Sequence, residues 1–352
     1  FYSEKHLKEV FEKMEDYKKM NLDVNTFFEM TGMIGGICNN PEDYASFYHN
    51  YKGRRYRHDQ VHNLFGYYMT RSASEAFERY VPEKRILLFS RASYIGMHRF
   101  GGIWQGDNAS WWSHLKMNVK MMPSLNMCGF LYTGADVGGF GADATEDLVL
   151  RWLEFAVFTP LLRNHSARGT RRQEVYRFSH VEKFADVIGV RYQILPYIYS
   201  EYMKAALCNT MMFNPLAFFY GEDALAGQVE DQLFIGENVM VAPVCEQNVT
   251  GRVVYFPERM KQLIFENGVV EEGEVYEKGF SYVEMPMGTV HVFLREGYLF
   301  PVAKGGKCVE AVDFEDLKLY SFGEEIKPYE YYLDDGETKD FTIESHIRML
   351  SC

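Results

Sequence analysis

Three short apolar runs each end in a residue able to do chemistry, and helix-like segments separate them. Residues 85–90 deliver Arg91, 130–134 lead to Asp136, and 160–163 lead to His165. Alternating strands and helices with polar groups at the strands' C-terminal ends constrain a chain to a parallel sheet. In a (β/α) barrel that rim carries the site. A fourth apolar run at 215–220 reads as the last strand of the series. Four strands are half of the eight in such a barrel, so the alternating part is expected to be its second half.

The helices between these runs have their own signals. Residues 58–80 place Val61, Leu64, Phe65, Tyr68, Met69 and Ala76 at helical spacing. Asn108 is expected to cap a helix over 109–121. Thr145 is expected to cap the next, with Glu146 and Asp147 in its first turn, where negative charge suits the helix dipole. A long helix is expected over 180–208 with Pro196 kinking it. Residues 1–57 read as a polar, irregular loop insertion, with a helix at 3–20, a Gly-rich turn at 32–36 and a basic patch at Arg54, Arg55 and Arg57.

Past residue 222 the texture changes to alternating strands with Gly and Asn turns, at 238–242, 252–256, 289–294 and 330–333. This predicts two all-β domains of β-sandwich type, 223–302 and 303–352, after a barrel part at 1–222. They meet at the Val-Ala-Lys-Gly-Gly of 302–306.

Composition narrows the function. The net charge of −12, with no basic run, disfavours nucleic acid and anionic membranes as partners. No run of about 20 apolar residues is present to span a bilayer. An aromatic fraction of 16% exceeds what a core needs and suits a site that stacks against sugar rings, although packing between layers uses aromatics too. Six cysteines without regular spacing read as reduced, buried thiols. The Asn-Val-Thr sequon at 248–250 matters only in a secreted eukaryotic protein, and a cytoplasmic location is the expectation. The opening Phe-Tyr-Ser reads as the interior of a longer polypeptide.

Asp107 is the candidate acid. It lies in Ile-Trp-Gln-Gly-Asp-Asn beside Trp104, and a carboxyl packed on an indole is held protonated near neutral pH. The same Gly-Asp-Asn also reads as a turn or cap. Asp136 sits in a Gly-rich turn with a comparable alternative, and His165 stands where hydroxyl-binding groups sit. His58 and His62, four residues apart, mimic a metal pair on a helix, but no third ligand accompanies them, so no metal is expected. The Asp-Asp-Gly at 334–336 lacks calcium-loop spacing and reads as a turn.

Taken together, these segments resemble glycoside hydrolase family 31, the α-glucosidases, and its bacterial members in particular. The carriers are His-Asn-Leu-Phe-Gly at 62–66, Ser-Arg-Ala at 90–92, Trp-Gln-Gly-Asp-Asn at 104–108, Gly-Ala-Asp-Val-Gly-Gly-Phe at 134–140 and Arg-Asn-His at 163–165. Order and spacing match, and the similarity extends to about Gly336. Ala92 departs from the usual Ser.

The resemblance implies a retaining α-glucosidase that removes terminal non-reducing α-linked glucose from oligosaccharides. Asp107 would be general acid/base, Arg91 and His165 would bind glucose hydroxyls, Asp136 would support the site, and Trp104 and Phe140 would wall it. No cofactor is implied. The family's nucleophile motif, Trp-x-Asp-Met-Asn-Glu-Pro, is not in these residues, and Glu29-Met30 is only a superficial echo. The missing N-terminal half of the barrel is therefore an expected partner, without which the chain should not hydrolyse, and open strand edges leave a homo-oligomer possible. A nucleophile-less sugar-binding or structural subunit, and an α-xylosidase, are the alternatives.

Overall fold

The computed structural model describes residues 3–21, 23–37 and 40–352. Its first part holds four neighbouring parallel segments. Ile103–Trp104 pairs with Thr133–Gly134, and single parallel bridges join Phe89 to Gly102 and Asp136 to Arg163. The order 88–90, 102–105, 132–136, 161–163 follows the chain, as in a (β/α) barrel. Close approach demands glycine here: a methyl group on Gly134 would lie 2.0 Å from the Leu161 carbonyl oxygen.

Helices cover the outside. Trp112–Met127 buries Leu115, Asn118, Val119, Met122, Pro123 and Asn126, a helical stripe. It begins later than expected, and Asn108 does not cap it. Asn108 instead gives its backbone carbonyl to the amides of Phe140 (2.6 Å) and Gly141 (3.0 Å). Thr145 stands at the N-cap position of Glu146–Ala156 but its side chain makes no capping hydrogen bond, and Pro196 lies inside Val181–Cys208. The expected final barrel strand at 215–220 is not one. Phe213–Pro215 pairs antiparallel with Leu233–Ile235 of the β region, and Leu216–Phe219 is helical. Buried Asn126 accounts for the turn, its Oδ1 accepting from the amides of Met212 (3.1 Å) and Phe213 (2.9 Å).

The N-terminal segment is more regular than a loop insertion. Glu4–Tyr17 and Val24–Ile37 are helices, the latter running through the expected Gly-rich turn, and Pro41–Ser46 is a third. The basic patch lies in a hairpin, Tyr48–Tyr51 with Arg54–Arg57. The expected 58–80 helix is broken into His58–Val61 and Leu64–Tyr80.

In the β region a six-stranded antiparallel sheet runs Val269–Tyr276, Met260–Glu266, Val290–Arg295, Val239–Val241, Leu233–Ile235, Phe213–Pro215. Gly251–Phe256 pairs separately with Gly279–Glu284. Val254, Phe256 and Val283 of that pair share a buried cluster with Phe234, Met240 and Phe293 of the large sheet, as two faces of a sandwich do. Leu299–Ala303 pairs with Leu317–Ser321, and Tyr329–Tyr332 with Ile347–Leu350. Tyr329, Tyr331 and Phe300 join the main core with Tyr197 of the long helix, so barrel part and β region share one interior. The expectation of buried thiols fails for most cysteines: Cys128, Cys208, Cys308 and Cys352 are exposed and Cys245 is buried, while Cys38 lies outside the described residues.

Candidate active site

Four of the expected site residues stand at or just past the ends of parallel segments, while Trp104 lies within its strand. Arg91 follows the extended 88–90, Asp107 comes three residues after Trp104, Asp136 two after Gly134, and His165 two after Arg163. Asp107 follows its own strand, Ile103–Trp104, which is only two residues long and too short for a periodic pattern to mark it in the sequence.

The side chains form a connected set. Arg91 Nη1 donates to Asp107 Oδ2 at 2.7 Å. Two guanidiniums approach the Trp104 ring, Arg91 at 5.9 Å and Arg163 at 5.6 Å from its centroid. Arg163 Nε donates to Asp136 Oδ1 at 2.6 Å. Phe140 and His165 face each other with ring centroids 5.1 Å apart. The Phe140 loop is tied to the Asp107 loop by the two amide bonds to the Asn108 carbonyl and by Ser110 N to Gly141 O at 2.7 Å. Between them Gly139, at φ +88°, admits no side chain: a methyl group would lie 2.6 Å from Ser110 N.

The two carboxyls have opposite surroundings. Asp107 is 40% exposed and its charged partner is Arg91, itself 60% exposed. Arg91 and Arg163 both approach the Trp104 ring, and Arg91 links that ring to Asp107. Asp136 is fully buried. Burial pushes its carboxyl up from the ordinary range, Arg163 and His165 oppose that shift, and the charge of Asp107 adds to it. Asp136 Oδ2 and Trp104 Nε1 are buried with no hydrogen-bond partner among the described residues.

Sequence reasoning missed three contributors. Arg163 entered only as part of a motif, yet it clamps Asp136 and backs Trp104. Gln173 is buried and its Nε2 donates to the carbonyls of Gly139 (3.0 Å), Val137 (3.2 Å) and His165 (3.4 Å), binding two site loops together. Phe28 lays its ring edge on Gly141, where a methyl group would meet Cζ at 2.5 Å. No local pattern marks Gln173 or Phe28, since their partners are distant in sequence. Glu29 is exposed on the same helix as Phe28. Among the described residues no group of three His, Cys, Asp or Glu side chains is arranged to hold a metal ion.

Residues 2–201 match the glycosyl hydrolases family 31 TIM-barrel domain, and 209–300 match the glycosyl hydrolase family 31 C-terminal domain. Alpha-glucosidase 2 of Bacillus thermoamyloliquefaciens is 31% identical over 306 residues, 86% of this chain and 38% of its own length. Neutral alpha-glucosidase AB of Homo sapiens is 28% identical over 81% of this chain and 31% of its own. The family 31 dextranase of Flavobacterium johnsoniae, solved with glucose, superposes with a TM-score of 0.76 at 26% identity, covering 86% of this chain and 38% of the dextranase. The chain thus spans about a third of the length of these relatives, 31–38%. Its parallel strands, their C-terminal residues and both domain matches agree, and the chain belongs to glycosyl hydrolase family 31.

Proposed function

We propose that these residues are the acid/base half of a retaining α-glucosidase site that releases terminal non-reducing α-linked glucose from oligosaccharides. Asp107 protonates the glycosidic oxygen as the bond breaks, then takes a proton from the water that attacks the glucosyl-enzyme. Arg91 and His165 bind hydroxyls of the departing glucose. Trp104 and Phe140 wall the ring, and Asp136 with Arg163 holds the floor.

The observation that carries this reading is the contrast between the two carboxyls on one barrel rim. Asp107 is open to solvent and substrate, whereas Asp136 is sealed and clamped. Only the former can exchange protons with a leaving group and with water. The α-glucosidase relatives and the glucose bound to the dextranase support a glucoside as substrate.

Retaining chemistry also needs a nucleophilic carboxylate about 5 Å from the acid. Asp136 is committed to Arg163 and Glu29 is exposed on a helix. We assign the nucleophile to polypeptide outside these 352 residues, on the strands that complete the barrel. The test is the anomer first released from maltose by the full-length protein, followed by proton NMR. α-Glucose is expected. Initial β-glucose would overturn retention, and glucose binding without turnover would favour the sugar-binding subunit.

A further inference from the structure

The loop that carries Asp107 is braced by a helix that precedes the barrel strands. Residues 25–37 of Val24–Ile37 are exposed or half-buried, so this helix lies on the surface. Its start is fixed by a reciprocal cap. Asp23 Oδ1 accepts from the Thr26 amide at 2.8 Å, and Thr26 Oγ1 accepts from the Asp23 amide at 2.8 Å. Phe28 follows two residues later, 42% exposed, with its ring against Gly141.

That contact is close. A methyl group on Gly141 would meet three atoms of the Phe28 ring first, Cζ at 2.5 Å, Cε2 at 3.1 Å and Cε1 at 3.7 Å. Gly141 is not at positive φ, so crowding rather than backbone conformation makes it glycine. A side chain there would drive the ring away.

Gly141 is also where the Phe140 loop grips the acid loop. Its amide donates to Asn108 O at 3.0 Å, beside the Phe140 amide at 2.6 Å, and its carbonyl accepts from the Ser110 amide at 2.7 Å. These three bonds hold the peptide units 108–109 and 109–110, immediately after Asp107. The next residue, Ala142, sits at φ +69°. That left-handed conformation is unfavourable for an L-residue and persists where its surroundings enforce it. Ser110 Oγ donates to the Ala142 carbonyl at 3.3 Å, and Phe28 presses on the neighbouring Gly141. A strained turn thus carries the ties of the acid loop, and a ring from a surface helix backs it.

We infer that Phe28 is a positioning residue for Asp107. Seated on Gly141, it keeps the bonds from Phe140, Gly141 and Ser110 closed and the Asp107 carboxyl in line with the glycosidic oxygen. It acts through Gly141 and Asn108, and its effect on turnover rests on the reading of Asp107 as the acid.

The full-length protein tests this with Phe28→Ala, Phe28→Met, Gly141→Ala and the Phe28→Ala/Gly141→Ala pair. Exchange of the Ser110 amide reads the brace without relying on activity. Phe28→Ala should speed it about tenfold, while the amide of Leu115, in the helix Trp112–Met127, keeps its wild-type rate. Ser110 exchange that matches wild type would overturn the brace.

Turnover reads the link to Asp107. Phe28→Ala should lower kcat on maltose about tenfold, with KM changed less than about twofold. Fluoride release from α-glucosyl fluoride, whose leaving group needs no protonation, should stay within about twofold of wild type. Phe28→Met, flexible and of similar reach, should keep most of the maltose rate. Gly141→Ala should resemble Phe28→Ala, and the pair should be no slower than either alone, because both changes empty the same contact. Equal losses on the two substrates, a loss confined to KM, or losses that multiply in the pair would overturn the inference. Maltose hydrolysis surviving Asp107→Asn would fail the acid reading instead, and the Ser110 exchange result would stand apart from it.

Discussion

The barrel part and the β region use the same kinds of side chain to different ends. In the β region Phe234, Val254 and Phe293 have no exposed surface, and strands of six to eight residues pair in long antiparallel ladders. On the barrel edge Leu87 is 59% exposed and Ile95 79%, and the parallel ladder is two residues long with single bridges beside it. Antiparallel strands close a core with their sequence neighbours. Parallel barrel strands are buried only when both flanks and both faces are covered. The proposed site therefore lies in the part that depends most on contacts beyond its own strands, and tight local pairs such as Arg163 with Asp136 hold its geometry.

That contrast can be broken by mutation. The largest effect is expected at Phe293, which meets Phe256 and Tyr276 edge-on at 5.0 and 6.0 Å. Phe293→Ala should destabilise the chain by about 3–5 kcal/mol in urea unfolding. A loss below about 1 kcal/mol would mean the β core is not self-contained.

Next is Arg163→Met, expected to remove about 3 kcal/mol by leaving Asp136 buried and unpaired. The sign with pH follows from the raised Asp136 carboxyl. Its protonated form favours the folded state, so the deficit should shrink as pH falls and Asp136 takes up a proton. A deficit that grows with acid would contradict this.

Third is the seam between the regions. Glu154 accepts from Arg151 at 2.9 Å and from the Gly288 amide at 2.7 Å, and burial pushes it up to about 7. A raised carboxyl stabilises the fold below its unfolded value of 4.5, and that contribution is lost as pH rises through about 7. Wild type should lose roughly 2 kcal/mol from this group between about pH 5 and about pH 8. Glu154→Gln should flatten that slope, and an unchanged slope would assign it elsewhere. The smallest effect is expected at the open edge, where Leu87→Ala should change the stability of this chain by less than about 0.5 kcal/mol. A loss comparable to Phe293→Ala would erase the contrast.

The strand-end residues Arg91, Asp136 and His165 were legible because apolar runs point at them. Several β strands were legible through their alternation. What was not legible depended on partners far along the chain. The Ile103–Trp104 strand is defined by its neighbour at 133–134, the antiparallel role of Phe213–Pro215 by Leu233–Ile235 and Asn126, and the Asn108 loop by Phe140. The two arginines that approach the Trp104 ring come from separate strand ends, a meeting the local sequence does not show. The helix through 32–36 overrode its glycines, which local propensity reads as a turn.

The central claim is that Asp107 moves the proton to the leaving group. The most direct measurement compares wild type and Asp107→Asn, in the full-length protein, on maltose and on α-glucosyl fluoride, whose leaving group needs no protonation. Maltose hydrolysis should fall by about 10²–10⁴-fold, with the first, fluoride-releasing step largely retained. Near-normal maltose turnover, or equal loss of maltose hydrolysis and of fluoride release, would contradict the assignment.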